Sequence, residues 1–270
     1  MKFCANVSIL FKEVPLLERF GRAREAGFRA VEFWWPAGED LGEVEAAIKE
    51  ARLEVALFNF DAGDMPGGDR GLLSDPERVT QFQENVPVAL QLAGRLRCGK
   101  LNALVGHRLE SMDREEQFGL AQESIGWAAD LAAEQGAEIM IEAVNTFENG
   151  PYLLYTTKDG AEFVRSVGRE NVKLQYDVYH MQRMEGNLVA NLREYIGVIG
   201  HVQVADSPDR GEPGTGEIRY PFVLGALKDL GYDGYVGLEY NPTTPTTEES
   251  LSWLPKEMRG GDRNVEALNL

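Results

Sequence analysis

Eight short β-rich runs punctuate the chain: FCANVSI from Phe3, AVEFWW from Ala30, EVALFNF from Glu54, KLNALVG from Lys100, EIMIEAV from Glu138, VKLQYDV from Val172, HVQVAD from His201 and YVGLEY from Tyr235. Each is nearly continuous in apolar residues rather than alternating, the pattern of strands covered on both faces. Between them the period lengthens. From Arg114 to Gln135 the residues Phe118, Ala121, Ile125, Ala128, Leu131 and Ala132 recur at three- and four-residue intervals and so share one helical face. Gly136 follows as a stop, and AREAGF, SVGREN and DLGYDG place a glycine at the same joint before the second, sixth and eighth runs. Strand and helix alternating eight times with right-handed crossovers predict a single-domain (β/α)8 TIM barrel of the α/β class, with an open doubly wound sheet as the alternative. The barrel is expected over 1–258, leaving RGGDRNVEALNL, 259–270, as a C-terminal tail that is either mobile or docked on a neighbouring subunit. A homo-oligomer stays open on that ground. DAGDMPGGDRGLLSDP after the third run reads as a long loop and not as a linker.

Charge narrows the partners. Lys plus Arg number 27 against 44 Asp plus Glu, a net charge of -17, which leaves no large basic surface for phosphate backbones and argues against nucleic acid. An anionic substrate would need particular arginines to make its site locally positive. No apolar run approaches membrane-spanning length. The opening MKFCANVSILFKEV is interrupted by Asn6 and Ser8 and lacks a small-residue cleavage site, so it reads as mature structure. Cys4 and Cys98, far apart and without a metal-type partner, suit buried thiols in a reducing cytoplasm, though their pairing stays open.

Active sites of such barrels are built from the loops after the strands, which gives weight to polar residues at strand ends. Glu142 closes the fifth run, Asp177 the sixth, Gln203 lies late in the seventh and Glu239 closes the eighth. Any one of them is equally well a solvated strand end. Together on consecutive strands, three carboxylates facing one mouth would repel each other unless protonated or neutralised by a cation. All four donors are oxygens, which favours a hard divalent ion, Mg²⁺ or Mn²⁺, over a structural zinc. His180 stands one turn beyond Asp177 and Arg210 follows the seventh run, both within reach of a substrate, while Arg183 and Glu185 are expected to brace the loop. His201, two residues before Gln203, points to the same side but deeper and reads as a core histidine. RGEPGTGEIRY lacks the Lys-Ser/Thr of a nucleotide loop; its glycines either bring Arg210 and Glu212 to the mouth or form a structural turn.

The segments ANVSILF, GFRAVEFWWP, GDRG, IEAVN, QYDVYHMQRMEG, IGHVQVAD, RGEPGTGEI and GYVGLEYNP, taken in order from about Met1 to Trp253, resemble the hydroxypyruvate isomerase family within the xylose isomerase-like barrels. Asp209 stands where that family often carries a histidine, a change at the rim. The resemblance implies a metal-assisted aldose-ketose type isomerase converting hydroxypyruvate, a short hydroxy-oxo acid, to 2-hydroxy-3-oxopropanoate. It implies Glu142 and Glu239 as the proton-transfer pair, and Glu142, Asp177, Gln203 and Glu239 as metal ligands. His180, Arg210, Arg70 and Glu212 are expected at the substrate, with Arg70 preferred over Arg108 for a substrate carboxylate. Related ketose 3-epimerases place a histidine where this chain has Gln203, which favours the isomerase branch. Three alternatives remain beside it. A 2-oxo-tetronate isomerase or ketose 3-epimerase would prefer longer substrates, against which Trp34 and Trp35 narrow the pocket. A nuclease of the related metal-barrel type would need more than three histidines and a basic groove. A non-catalytic sugar-acid binding protein would need the same ligands without turnover.

Overall fold

The computed structural model describes residues 1–261 and 268. Eight parallel strands close on themselves in chain order: β1 (Lys2–Asn6), β2 (Ala30–Phe33), β3 (Glu54–Asn59), β4 (Lys100–Ala103), β5 (Glu138–Glu142), β6 (Val172–Asp177), β7 (Ile199–Val204) and β8 (Tyr235–Leu238). The closing pair is β1 with β8, in register from Lys2 opposite Tyr235 to Ala5 opposite Leu238. The chain therefore forms the (β/α)8 barrel and not the open sheet.

Helices cover the outside, and their joints follow local chemistry. Asp40 accepts from Gly42 N and Glu43 N to cap helix Leu41–Ala51, and Thr156 caps Thr157–Val167 through Asp159 N. Gly27, Gly136, Gly168 and Gly231 all take positive φ at the expected stops. At two further joints an arginine does the same: Arg52 and Arg97 end their helices in the left-handed region, which no residue-type rule would have marked. The stretch from Asp61 to Asp75 is a loop without helix, pinned to the rest by the bridge between Gly71 and Val105. Among the described residues no helix is long and apolar enough to cross a membrane. Arg259, first residue of the expected tail, donates to Ala26 O, Leu251 O and Leu254 O; 262–267, 269 and 270 lie outside the described residues.

The barrel interior is unusual in being polar. Side chains alternate inward and outward along each strand, and the inward set includes Asn6, Glu32, Asn102, His201 and Gln203, all buried. Glu32 on β2 meets His201 Nε2 on β7 at 2.7 Å. Since β1 and β8 stand between those strands, this bond crosses the lumen. Gly237 on β8 leaves the room: a Cβ there would lie 2.3 Å from a Glu32 carboxylate oxygen. Gly237→Ala should cost about 3 kcal/mol by overpacking a site with no slack, lowering the melting temperature by about 6–12 °C. A melt indistinguishable from the parent would show that Glu32 can swing aside.

Candidate active site

The strand ends explain how the site is assembled. Asp177 closes β6 and at once caps helix Val178–Met184, its Oδ1 accepting from Tyr179 N at 2.8 Å and His180 N at 3.3 Å. One carboxylate oxygen is thereby spent on the helix. The other, Oδ2, is buried without a hydrogen-bond partner, with His180 Nε2 at 3.6 Å and Arg210 Nη2 at 3.9 Å. Glu142, last residue of β5, accepts from Asn102 Nδ2 at 2.9 Å on Oε2, while its Oε1 lies 3.9 Å from His180 Nε2. Glu239, one residue past β8, is held from three sides: Asn6 Nδ2 at 2.9 Å, Trp34 Nε1 at 2.7 Å and Arg210 Nη2 at 2.6 Å. Arg210 reaches it from a loop residue at φ 59°.

His180 is buried and its Nδ1 lies 2.8 Å from Asn145 Nδ2. An amide NH₂ can only donate, so Nδ1 accepts and the ring proton sits on Nε2, facing the carboxylates. Burial, reinforced by the charges of Arg210 and Arg70, holds this imidazole well below its ordinary pKa. It is a neutral donor. The carboxylates move the other way. Burial raises Glu142 well above the usual range, with Glu239 and Asp177 adding to it; burial likewise raises Asp177, against Arg210 and the two backbone N–H groups. Burial pushes Glu239 up to about 7 despite the opposing Arg210. The site strains to hold protons because it concentrates negative charge away from water.

This arrangement fits a hard divalent ion. Carboxylate oxygens of Glu142 and Asp177 fall within 4.8 Å of each other, and the orphaned Asp177 Oδ2 is a buried acceptor without a donor; His180, with its proton on Nε2, stands beside them as a hydrogen-bond donor and not as a ligand.

Of the residues expected from sequence, the structure brings Glu142, Glu239, His180, Arg210 and Arg70 to the wall of one cavity of about 80 Å³, and Asp177 lies beside them. Arg70 hydrogen-bonds Asn149 Oδ1, Met65 O and Asp69 O, which fixes the long loop over the mouth. Gln203, opposite Asp177 in the β6–β7 register, points into the lumen. Its Nε2 donates to Glu32 and its Oε1 accepts from Gln175 Nε2, each at 2.7 Å, leaving the amide oxygen one further lone pair. Glu212 corrects the expectation: Thr243 N and Oγ1 occupy its carboxylate oxygens, so it braces the loop after β8 and does not line the cavity. Arg183 and Glu185 brace as expected, through Pro208 O and through Thr157 and Asn191. His201 is a buried partner of Glu32. Missed altogether were Asn6, Glu32, Asn102 and Asn145. Their one signal was a polar residue inside or at the end of a nearly apolar run, as in FCAN, AVEF and KLN.

Trp34, Met65 and Arg70 also border a second cavity of about 610 Å³, walled further by Trp35 and Phe60. Cys4 and Cys98 are free and buried; burial raises both thiols, Cys98 to about 12.

Comparison with known proteins decides the family. The model of the xylose isomerase-like TIM barrel family matches residues 20–257. The chain belongs to that family. Hydroxypyruvate isomerase of Escherichia coli is 39% identical over 254 residues, covering 94% of this chain and 98% of that protein. A 2-oxo-tetronate isomerase of Cupriavidus necator is 37% identical over 253 residues, 94% of this chain and 97% of its own length. A crystal structure from Brucella melitensis, described as an AP endonuclease of family 2, superposes with a TM-score of 0.89 at 39% identity over 93% of this chain and 97% of that one. With full-length family relatives named as isomerases, this member of the xylose isomerase-like barrels is an isomerase.

Proposed function

We propose that the enzyme interconverts hydroxypyruvate and 2-hydroxy-3-oxopropanoate by proton transfer between adjacent carbons. The observation that carries this reading is the pair of buried carboxylates, Glu142 and Glu239, on one cavity of about 80 Å³ together with a neutral histidine and a guanidinium. Moving a carbonyl by one carbon needs a base at a C–H bond and stabilisation of the oxyanions of the enediolate. A carboxylate whose pKa burial lifts to about 7 suits a proton taken up and returned near neutrality. One glutamate takes the proton, and the same group or its partner delivers it. His180 Nε2–H and Arg210 are the donors for the substrate oxygens, and Arg70 is the cation for its carboxylate. Glu142, Asp177, Glu239 and Gln203 would hold Mg²⁺ or Mn²⁺. Held there, such an ion supplies positive charge to oxygens on which negative charge develops.

The neighbouring cavity beyond Trp34, Met65 and Arg70 favours a second reading, a 2-oxo-tetronate isomerase, since a four-carbon acid would extend through that wall. A nuclease is disfavoured by the net charge of -17. Buried free thiols are in keeping with the reducing cytoplasm, where we place the enzyme. Coupled assays over hydroxypyruvate, 2-oxo-tetronates and free ketoses test the choice: the highest kcat/KM should fall on hydroxypyruvate. Preference for a tetronate would move the enzyme to the second reading. The absence of both turnover and deuterium uptake from D₂O with all of these compounds would leave a binding protein.

A further inference from the structure

Beneath the site lies a charged group that neither proton transfer nor ion ligation uses. Glu32 is fully buried, far from water, on a strand whose other residues are apolar. Four donors converge on it: Asn6 Nδ2 at 3.1 Å and Gln203 Nε2 at 2.7 Å on Oε1, and His201 Nε2 at 2.7 Å and Cys4 Sγ at 3.4 Å on Oε2. The two oxygens divide the work. Oε2 faces the base of the barrel, and Oε1 faces side chains that lead up to the site.

We infer that Glu32 is a positioning residue, which sets the donor atoms of the site from below by orienting the Gln203 amide and, through Asn6, the Glu239 carboxylate. An amide has two ends that differ only in whether they donate or accept. An ionised carboxylate only accepts, so it draws the NH₂ end of Gln203 and leaves the oxygen as the end available elsewhere. That oxygen takes Gln175 Nε2 and keeps one lone pair. Asn6 is fixed in the same way, since its Oδ1 accepts from Ser8 N and only its NH₂ remains. The two hydrogens of that NH₂ go to Glu32 Oε1 and to Glu239 Oε1 at 2.9 Å. A single buried oxygen atom thus fixes the polarity of Gln203 and, together with Ser8 N, holds that of Asn6. Groups that orient metal ligands from behind in this manner govern ion affinity without touching the ion. Gly237 belongs to the same device, because any side chain there would occupy the place of the carboxylate.

The inference rests on reading Gln203 and Glu239 as ion ligands, and its test is read on the ion and not on turnover. Mn²⁺ affinity and the electron paramagnetic resonance spectrum of the bound ion are measured for the parent chain, for Glu32→Met and for Cys4→Ala. Glu32→Met keeps the length of the side chain and removes both acceptors, and should weaken Mn²⁺ binding about 10–100-fold and alter the spectrum. Cys4→Ala removes a contact to the same carboxylate on the side away from the site and should bind within twofold of the parent. Should Glu32→Met fail to fold, the double variant Glu32→Met, His201→Leu removes both members of the buried pair together, which relieves the lone partner, and is expected to show the same loss. Parent-like affinity and spectrum in a folded variant of either kind would overturn the inference. If the parent chain takes up no Mn²⁺, the ion reading of the site fails and carries this inference with it. Tight Mn²⁺ binding without turnover of hydroxypyruvate would reject only the proposed reaction.

Discussion

Glu142→Gln should lower kcat by about 10²–10⁴-fold, the usual worth of a positioned general base, while the barrel stays folded. The substitution is close to isosteric. Its amide oxygen can still accept from Asn102 Nδ2, which now reaches Glu142 Oε2 at 2.9 Å, so the local geometry has a way to persist. What disappears is the capacity to take a proton. Stability should not fall in the ion-free protein, and the sign follows from linkage. Burial, and then Glu239 and Asp177, raise the pKa of Glu142 in the folded state. Above the ordinary carboxylate range the unfolded chain releases a proton that the folded chain retains, so this group opposes folding increasingly as pH rises toward its folded pKa. A neutral glutamine removes that opposition. Glu239→Gln should be equally inactive but less stable, because Arg210 loses its partner at 2.6 Å and remains largely buried. Steady-state kinetics and melting curves in EDTA separate the two. Substantial turnover in either variant would reject the proton-transfer pair.

The contrast between Glu212 and Arg210 shows what the sequence could and could not tell. Both lie in one glycine-rich loop, two residues apart, and both were expected at the mouth; Arg210 reaches Glu239, whereas Glu212, also buried, is taken up by Thr243 in the loop after β8. The loop's path depends on where the chain after β8 passes, which is a long-range fact. The eight strands were legible because a parallel strand covered on both faces leaves a local mark, a nearly continuous apolar run. Glycine stops were legible for a similarly local reason, and Arg52 and Arg97 were not, since an arginine carries no preference for the left-handed region. Glu142, Asp177 and Glu239 could be found because barrel topology alone brings the ends of β5, β6 and β8 to one mouth. Glu32 could not. Its meaning lies in a bond across the lumen to a strand that is not its neighbour, and inside AVEFWW it looks like any charged residue at a strand position.

Removal of the ion should abolish turnover, and its return should restore it, because the site as built is short of positive charge. Among the described residues, Arg210 is the one guanidinium within ion-pair distance of the carboxylates, reaching Glu239 and Asp177, while Arg70 stands farther off on the cavity wall and His180 is kept neutral by burial and by the two arginines; a divalent ion closes the difference. Protein stripped with EDTA should be inactive, and Mg²⁺ or Mn²⁺ should recover activity. Melting supplies an independent measure. At an ion concentration of about 100 Kd, binding stabilises the fold by about 2.7 kcal/mol, a rise of about 5–10 °C for a chain of this size. Because burial raises all three carboxylates, entry of the ion must displace protons they would otherwise keep. Affinity should therefore weaken as pH falls, with proton release on binding visible by calorimetry in buffers of different ionisation enthalpy. Full activity in a demonstrably metal-free sample, with a melting temperature indifferent to Mg²⁺ and Mn²⁺, would mean that protons alone relieve the repulsion among Glu142, Asp177 and Glu239, and that the reaction runs on the side chains without an ion.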